Sequence, residues 1–95
     1  MNIVWSGQAV ADLKSIFDFI QERNPRAAVE VLHTLQQATA KLENFPLLGP
    51  PLGASGLRQI TVVKYGYIIV YRIGDERIEI ANVHPGRTDW LRHFE

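Results

Sequence analysis

Apolar positions recur along this chain with two different periods, and the change of period divides it. The opening stretch "NIVW" (residues 2–5) reads as a short strand. Ser6 follows, and its hydroxyl can accept one of the orphan backbone N–H groups at a helix start. Ala9, Leu13, Ile16, Phe17 and Ile20 then recur at three- and four-residue spacing, with Asp12, Lys14, Asp18 and Gln21 between them. That spacing predicts an amphipathic helix of about four turns. In "RNPRAA", Asn24 can cap a second helix and Pro25 suits its first position, where a missing N–H costs nothing. Ala28, Val31, Leu35, Ala38 and Leu42 form the stripe of this second helix. The short connection makes the two an antiparallel hairpin.

The loop "NFPLLGPPLGASG" (44–56) holds three prolines and three glycines and cannot continue a helix. Beyond it the period shortens to two. "LRQITVVK" (57–64), "YIIVYRI" (67–73) and "RIEIANV" (77–83) read as strands, with turn signals at Tyr65-Gly66 and Gly74-Asp75. The expected architecture is α+β, in the order β-α-α-β-β-β, with the helical hairpin packed on one face of an antiparallel sheet. Residues 1–95 form one domain. On the middle strand Tyr67, Ile69, Tyr71 and Ile73 share one face, and Ile68, Val70 and Arg72 share the other. Both faces are largely apolar. Such a strand belongs either to the centre of a compact core or to a sheet whose second face receives a partner chain.

Composition narrows the classes. Hydrophobic residues make up 46% and charged residues 21%, as in ordinary globular proteins. No apolar run approaches a membrane span, and the N-terminus lacks the basic and apolar regions of a signal peptide, so a cytoplasmic location is expected, with no membrane partner. There is no cysteine, hence no disulfide and no thiolate ligand or nucleophile. Ten basic residues balance ten acidic ones, four and five in residues 1–56 against six and five in 57–95. A free-standing nucleic-acid binder needs a positive excess to neutralise phosphates, and this chain has none. His33, His84 and His93 lack metal-ligand spacing, and neither a metal nor any other cofactor is expected.

The opening strand, "AVADLKSIFDFI", "NPRAA", "LENFPLLGPPL", "LRQITVVKYGYIIVYRI" and "IEIANVHPGR", in that order and spacing, resemble the RelE/ParE superfamily of toxins from bacterial type II toxin–antitoxin modules. The similarity spans nearly the whole chain. It implies the β-α-α-β-β-β fold and neutralisation by a cognate antitoxin that lays an extended or helical segment across the toxin. It implies contact with operator DNA only through that antitoxin. RelE-type members cut mRNA on the ribosome; ParE-type members poison DNA gyrase. The nuclease branch requires cations at the scissile phosphate and acid/base groups within hydrogen-bond reach. Where RelE presents a middle-strand arginine, this chain has Ile68. The strand before it offers only Arg58 and Lys64, and Arg87 matches the C-terminal arginine. The resemblance is therefore closer to ParE-like members, whose last strand often ends in a similar His-x-x-Arg. The expected function is gyrase inhibition relieved by an antitoxin. The alternatives are a ribosome-dependent mRNA endonuclease and a degenerate member that binds antitoxin without toxicity.

Several residues admit two roles. His84 is a general base, since its ordinary pKa lies near neutrality, or a polar residue closing a strand. Arg87 clamps a phosphate or a docking carboxylate bidentately, or pairs on the surface with Asp89. Arg58, Lys64 and Arg72 join Arg87 in a basic target-binding or phosphate-binding site, or are solvated; the register between strands decides whether Arg58 and Arg72 can meet. Trp90 and Phe94 staple the core or form an apolar end covered by the antitoxin. Tyr67 and Tyr71 are expected to pack.

Overall fold

A computed structural model of the chain describes residues 1–86. β1 (Asn2–Trp5) leads into α1 (Gly7–Arg23), α2 (Pro25–Ala40) and a 3-10 turn (Lys41–Glu43); β2 (Arg58–Val62), β3 (Tyr67–Ile73) and β4 (Arg77–Pro85) follow the long loop. Both helix starts form as their sequences require. Ser6 accepts the Ala9 N–H at 3.1 Å, and Asn24 accepts the Ala27 N–H at 3.1 Å with Pro25 in the first turn. Asn24 also ends α1, its backbone N–H donating to the Ile20 carbonyl. One residue thus caps both helices and sets the tight hairpin. No helix among the described residues is long and apolar enough to cross a membrane.

The sheet order is β1-β4-β3-β2. β2, β3 and β4 form the expected antiparallel meander, but β1 runs parallel to β4, so the sheet is mixed. Parallel neighbours need a long connection; here the helical hairpin and the meander lie between them. The helices cover one face. Ala9, Ile16, Ile20, Ala28, Val31, Leu35 and Leu42 pack there against Tyr67, Ile69, Tyr71, Ile78, Ile80 and Val83. A simple alternation would not point both Ile80 and Val83 inward. A bulge solves this: Val70 pairs with Asn82 and Tyr71 with Ile80, which leaves Ala81 without a partner on β3. Ser6 secures the bulge from the other side. Its backbone N–H donates to the Ile80 carbonyl at 3.0 Å and its hydroxyl donates to the Ala81 carbonyl at 2.8 Å. Where β1 has ended, Asp12 takes over the edge of β4, accepting the Val83 N–H at 3.0 Å.

Candidate functional site

Strand register sets which side chains share the face opposite the helices. Thr61, Ile68 and His84 form one row across β2, β3 and β4; Gln59, Val70 and Asn82 form the next; Arg72 and Glu79 form the third, with Val4 of β1 beside Glu79. Val70 is buried although it lies outside the helix-side core cluster. His84 is exposed at the strand end, its Nδ1 3.1 Å from the Pro85 carbonyl oxygen. Neither neighbour in its row carries a charge. Gly86 closes that corner: its N–H donates to the Gly66 carbonyl at 2.7 Å, and a Cβ there would come within 2.9 Å of Ile68 Cδ1. Close approach, rather than an unusual backbone angle, is what calls for glycine at this position.

The basic candidates are separated. Arg58 pairs with Tyr71 and lies on the helix side, where its Nη1 donates to the Gly49 carbonyl at 2.7 Å. Arg72 is exposed on the opposite face, in the row farthest from His84. It forms no ion pair among the described residues, which hold only Lys14–Asp18 and Arg23–Glu22. Lys64 lies in the β2–β3 turn, its Nζ 5.2 Å from the Tyr65 ring centre. Arg87, Trp90 and Phe94 lie outside the described residues. Among the described residues no group of three His, Asp or Glu side chains could hold a metal ion.

A second feature was not visible in the sequence. β2 is the outer strand, and a groove of about 980 Å³ runs along it beneath the C-terminal half of α2. Thr34, Ala38 and Lys41 form one side; Ile60 to Lys64 form the other; Leu48 and Pro50 close one end. Among the described residues the charges in its lining are Lys41 and Lys64, both positive. Pro50 covers the start of the strand edge, accepting the Gln59 N–H at 3.2 Å, but among the described residues no strand covers the remainder. Val63 is 81% exposed at this edge, and Phe45, Leu47 and Leu48 are exposed in the adjoining loop.

That loop is tied to the core by one hydroxyl and one guanidinium. Tyr71, wholly buried on β3, donates from its hydroxyl to the Pro46 carbonyl at 2.7 Å and accepts the Gly49 N–H at 2.9 Å. Arg58 holds the Gly49 carbonyl, so both polar backbone groups of Gly49 are engaged. Gly49 also lies flat on β2: a Cβ would stand 2.8 Å from the Gln59 carbonyl carbon, closer still to its oxygen, and 2.9 Å from Ile60 Cγ2. Tyr71 packs as expected, and its hydroxyl has this further task. The available signal was a tyrosine at an inward strand position downstream of a Pro/Gly loop, since a buried hydroxyl needs a partner.

Comparison with known proteins agrees with this architecture. The family model described as "ParE toxin of type II toxin-antitoxin system, parDE" matches residues 3–90. The chain is similar to Toxin RelE2 of Caulobacter vibrioides, 33% identical over 87 residues, covering 90% of this chain and 97% of that one. Among solved structures it is similar to a chain of the chromosomal ParDE toxin–antitoxin system from P. aeruginosa, with a TM-score of 0.82, 21% identity and coverage of 92% and 97%. It is also similar to a chain of the intact E. coli RelBE toxin–antitoxin complex, with a TM-score of 0.69, 14% identity and coverage of 90% and 96%. At these identities the two structures speak for the fold alone.

Proposed function

The chain belongs to the ParE toxin family of type II toxin–antitoxin systems, and from that premise we propose that it acts in the cytoplasm by binding and inhibiting DNA gyrase, not by cutting RNA. The observation that carries this reading is the dispersal of the basic side chains. Phosphoryl-transfer chemistry requires cations converging on the phosphate oxygens and an acid/base group within hydrogen-bond reach. The His84 row offers Thr61 and Ile68; Arg58 is spent on the loop behind the sheet, and Arg72 stands in the far row. Among the described candidates that leaves Lys64, in the β2–β3 turn, and Arg87 would have to supply the rest of the charge. As a docking residue it needs no cluster, since one central interface arginine can carry 2 kcal/mol or more.

A toxin of this kind has a cognate antitoxin as its partner, and the groove along β2 suits an antitoxin segment. An open strand edge offers backbone hydrogen bonds to an extended chain. The apolar lining favours alternating hydrophobic side chains, and Lys41 with Lys64 favours acidic residues between them. Trp90 and Phe94 are further candidates for antitoxin contact. Operator DNA would be reached only through the antitoxin.

The test is expression without the antitoxin, alongside a supercoiling assay with purified gyrase. Gyrase inhibition with DNA breaks and an SOS response, while bulk translation continues at first, is the expected outcome. Prompt arrest of translation with mRNA cleaved on ribosomes would replace this reading with the endonuclease. Neither effect would indicate a member that has lost toxicity.

A further inference from the structure

Loop 46–50 forms the end wall of the β2 groove, yet the sequence that builds it has no secondary structure to hold its shape. Besides the Gln59 N–H on the Pro50 carbonyl, it is held by the Tyr71 hydroxyl bridging Pro46 and Gly49, the Arg58 guanidinium on Gly49, and the close seat of Gly49 on β2. Tyr71 and Arg58 both come from the helix-covered face of the sheet and stand outside the groove lining, whereas Leu48 and Pro50 belong to it. We propose that Tyr71 and Arg58 are positioning residues for antitoxin capture, holding Pro46–Pro50 in the shape that completes the groove without touching its occupant. This inference rests on the reading that an antitoxin segment occupies the groove.

The physical basis is pre-organisation. A binding wall that spends part of its time displaced weakens the apparent affinity by the fraction of molecules in the competent form. Removing the Tyr71 hydroxyl leaves the Gly49 N–H and Pro46 carbonyl without their partner, and both groups recover hydrogen bonds most readily by moving out to water. Arg58 still retains the Gly49 carbonyl in that variant, so the loop is loosened and not lost. The aromatic ring stays in the core, so the domain remains folded.

The experiment measures binding of the purified cognate antitoxin to full-length toxin variants by calorimetry, with hydrogen exchange at the Gly49 amide followed in parallel. Tyr71→Phe and Arg58→Met are each expected to weaken binding by about five- to tenfold and to speed exchange at Gly49. A purely structural role would lower the melting temperature without changing the affinity of the folded fraction. In a Leu48→Ala background, where the wall has lost its side chain, the Tyr71→Phe effect should shrink to about twofold or less. Val63→Asp is the control for the groove itself: its position is open to solvent, and a negative charge there opposes an acidic occupant. If Val63→Asp weakens binding while Tyr71→Phe does not, the positioning role is wrong and the groove stands. If Tyr71→Phe is equally costly with and without Leu48, the effect does not pass through the loop and the inference fails. If Val63→Asp leaves affinity unchanged, the antitoxin binds elsewhere, and the groove reading falls together with the positioning role.

Discussion

Gly49→Ala offers a sharp test of how the loop is seated. Carbon atoms in ordinary contact stand roughly 3.5–4.0 Å apart, whereas the added methyl would lie 2.8 Å from the Gln59 carbonyl carbon and 2.9 Å from Ile60 Cγ2. The obstacle is the backbone of β2, held by its pairing with β3, so the loop must retreat, by roughly 1 Å. The Tyr71 and Arg58 bonds to Gly49, now 2.9 and 2.7 Å, would then stretch past useful length. A neutral bond contributes about 1 kcal/mol and one to a charged donor about 1.5–3. Replacing glycine returns up to about 1 kcal/mol by restricting the unfolded chain. The net expectation is a loss of about 2–3 kcal/mol, a large share of the roughly 5–10 available to a domain of this size. Urea unfolding followed by circular dichroism would read this as a midpoint lowered by about 1–2 M at unchanged slope. Gly7→Ala is the matched control. Nothing lies within 4 Å of its Cβ position and it opens α1, so the same substitution should be neutral or stabilising there. A Gly49→Ala midpoint equal to wild type would show that the loop is not seated on β2.

Leu35→Ala, at a wholly buried position of α2, should cost roughly 2–5 kcal/mol; an unshifted denaturation midpoint would remove Leu35 from the core. Burial pushes the Tyr67 hydroxyl well above the ordinary tyrosine range. The unfolded chain therefore releases that proton first, so the contribution is complete below about pH 10 and stability should fall as pH rises beyond it, by up to ~1.4 kcal/mol per pH unit. Tyr67→Phe should flatten that slope between pH 10 and 11, and an unaltered slope would assign the loss to other groups. Arg87→Ala should abolish cell killing at equal expression, while His84→Ala should leave it nearly intact; the reverse pattern, with His84 essential and Arg87 dispensable, would favour general-base chemistry and the endonuclease. Glu76 sits at φ 63° in the β3–β4 turn, so Glu76→Gly should stabilise the domain by up to about 1 kcal/mol, read as a higher urea midpoint; an unchanged or lower midpoint would show that this turn stores no such strain.

The elements set by local chemistry were legible from the sequence. Ser6 and Asn24 announce their helices because capping involves only residues three apart, and the meander follows from turn signals spaced by strand lengths. What was hidden depends on distant pairing. β1 carries no mark of its direction, since four residues pair equally well either way, and its parallel match to β4 is fixed by where the helices deliver the chain. The bulge at Ala81 is invisible to alternation because Ile80 and Val83 appear to sit on opposite faces. In the β3–β4 turn the residue with positive φ is Glu76, while the obvious candidate, Gly74, is not. Arg58 looked like a free cation in the sequence. Its partner is a backbone carbonyl nine residues upstream, in a loop whose path no periodicity describes. His84 was found at the strand end as expected, but its row depended on a register that only the folded sheet supplies.

The pairing of β1 with β4 has a consequence for synthesis. Asn2 is synthesised long before its partner Arg77, so the β1 pairing and the Ser6 and Asp12 contacts must wait until β4 has been made. Contacts this distant in sequence are slow to form, and the partly made chain meanwhile exposes apolar surface. A nascent chain stalled before β4 would lack Ile78, Ile80 and Val83 of the core and leave β1 without a strand to pair with. Toxin and unfinished polypeptide are thereby separated in time: the domain cannot complete its fold until β4 has been synthesised. An antitoxin already present would have that interval in which to be waiting.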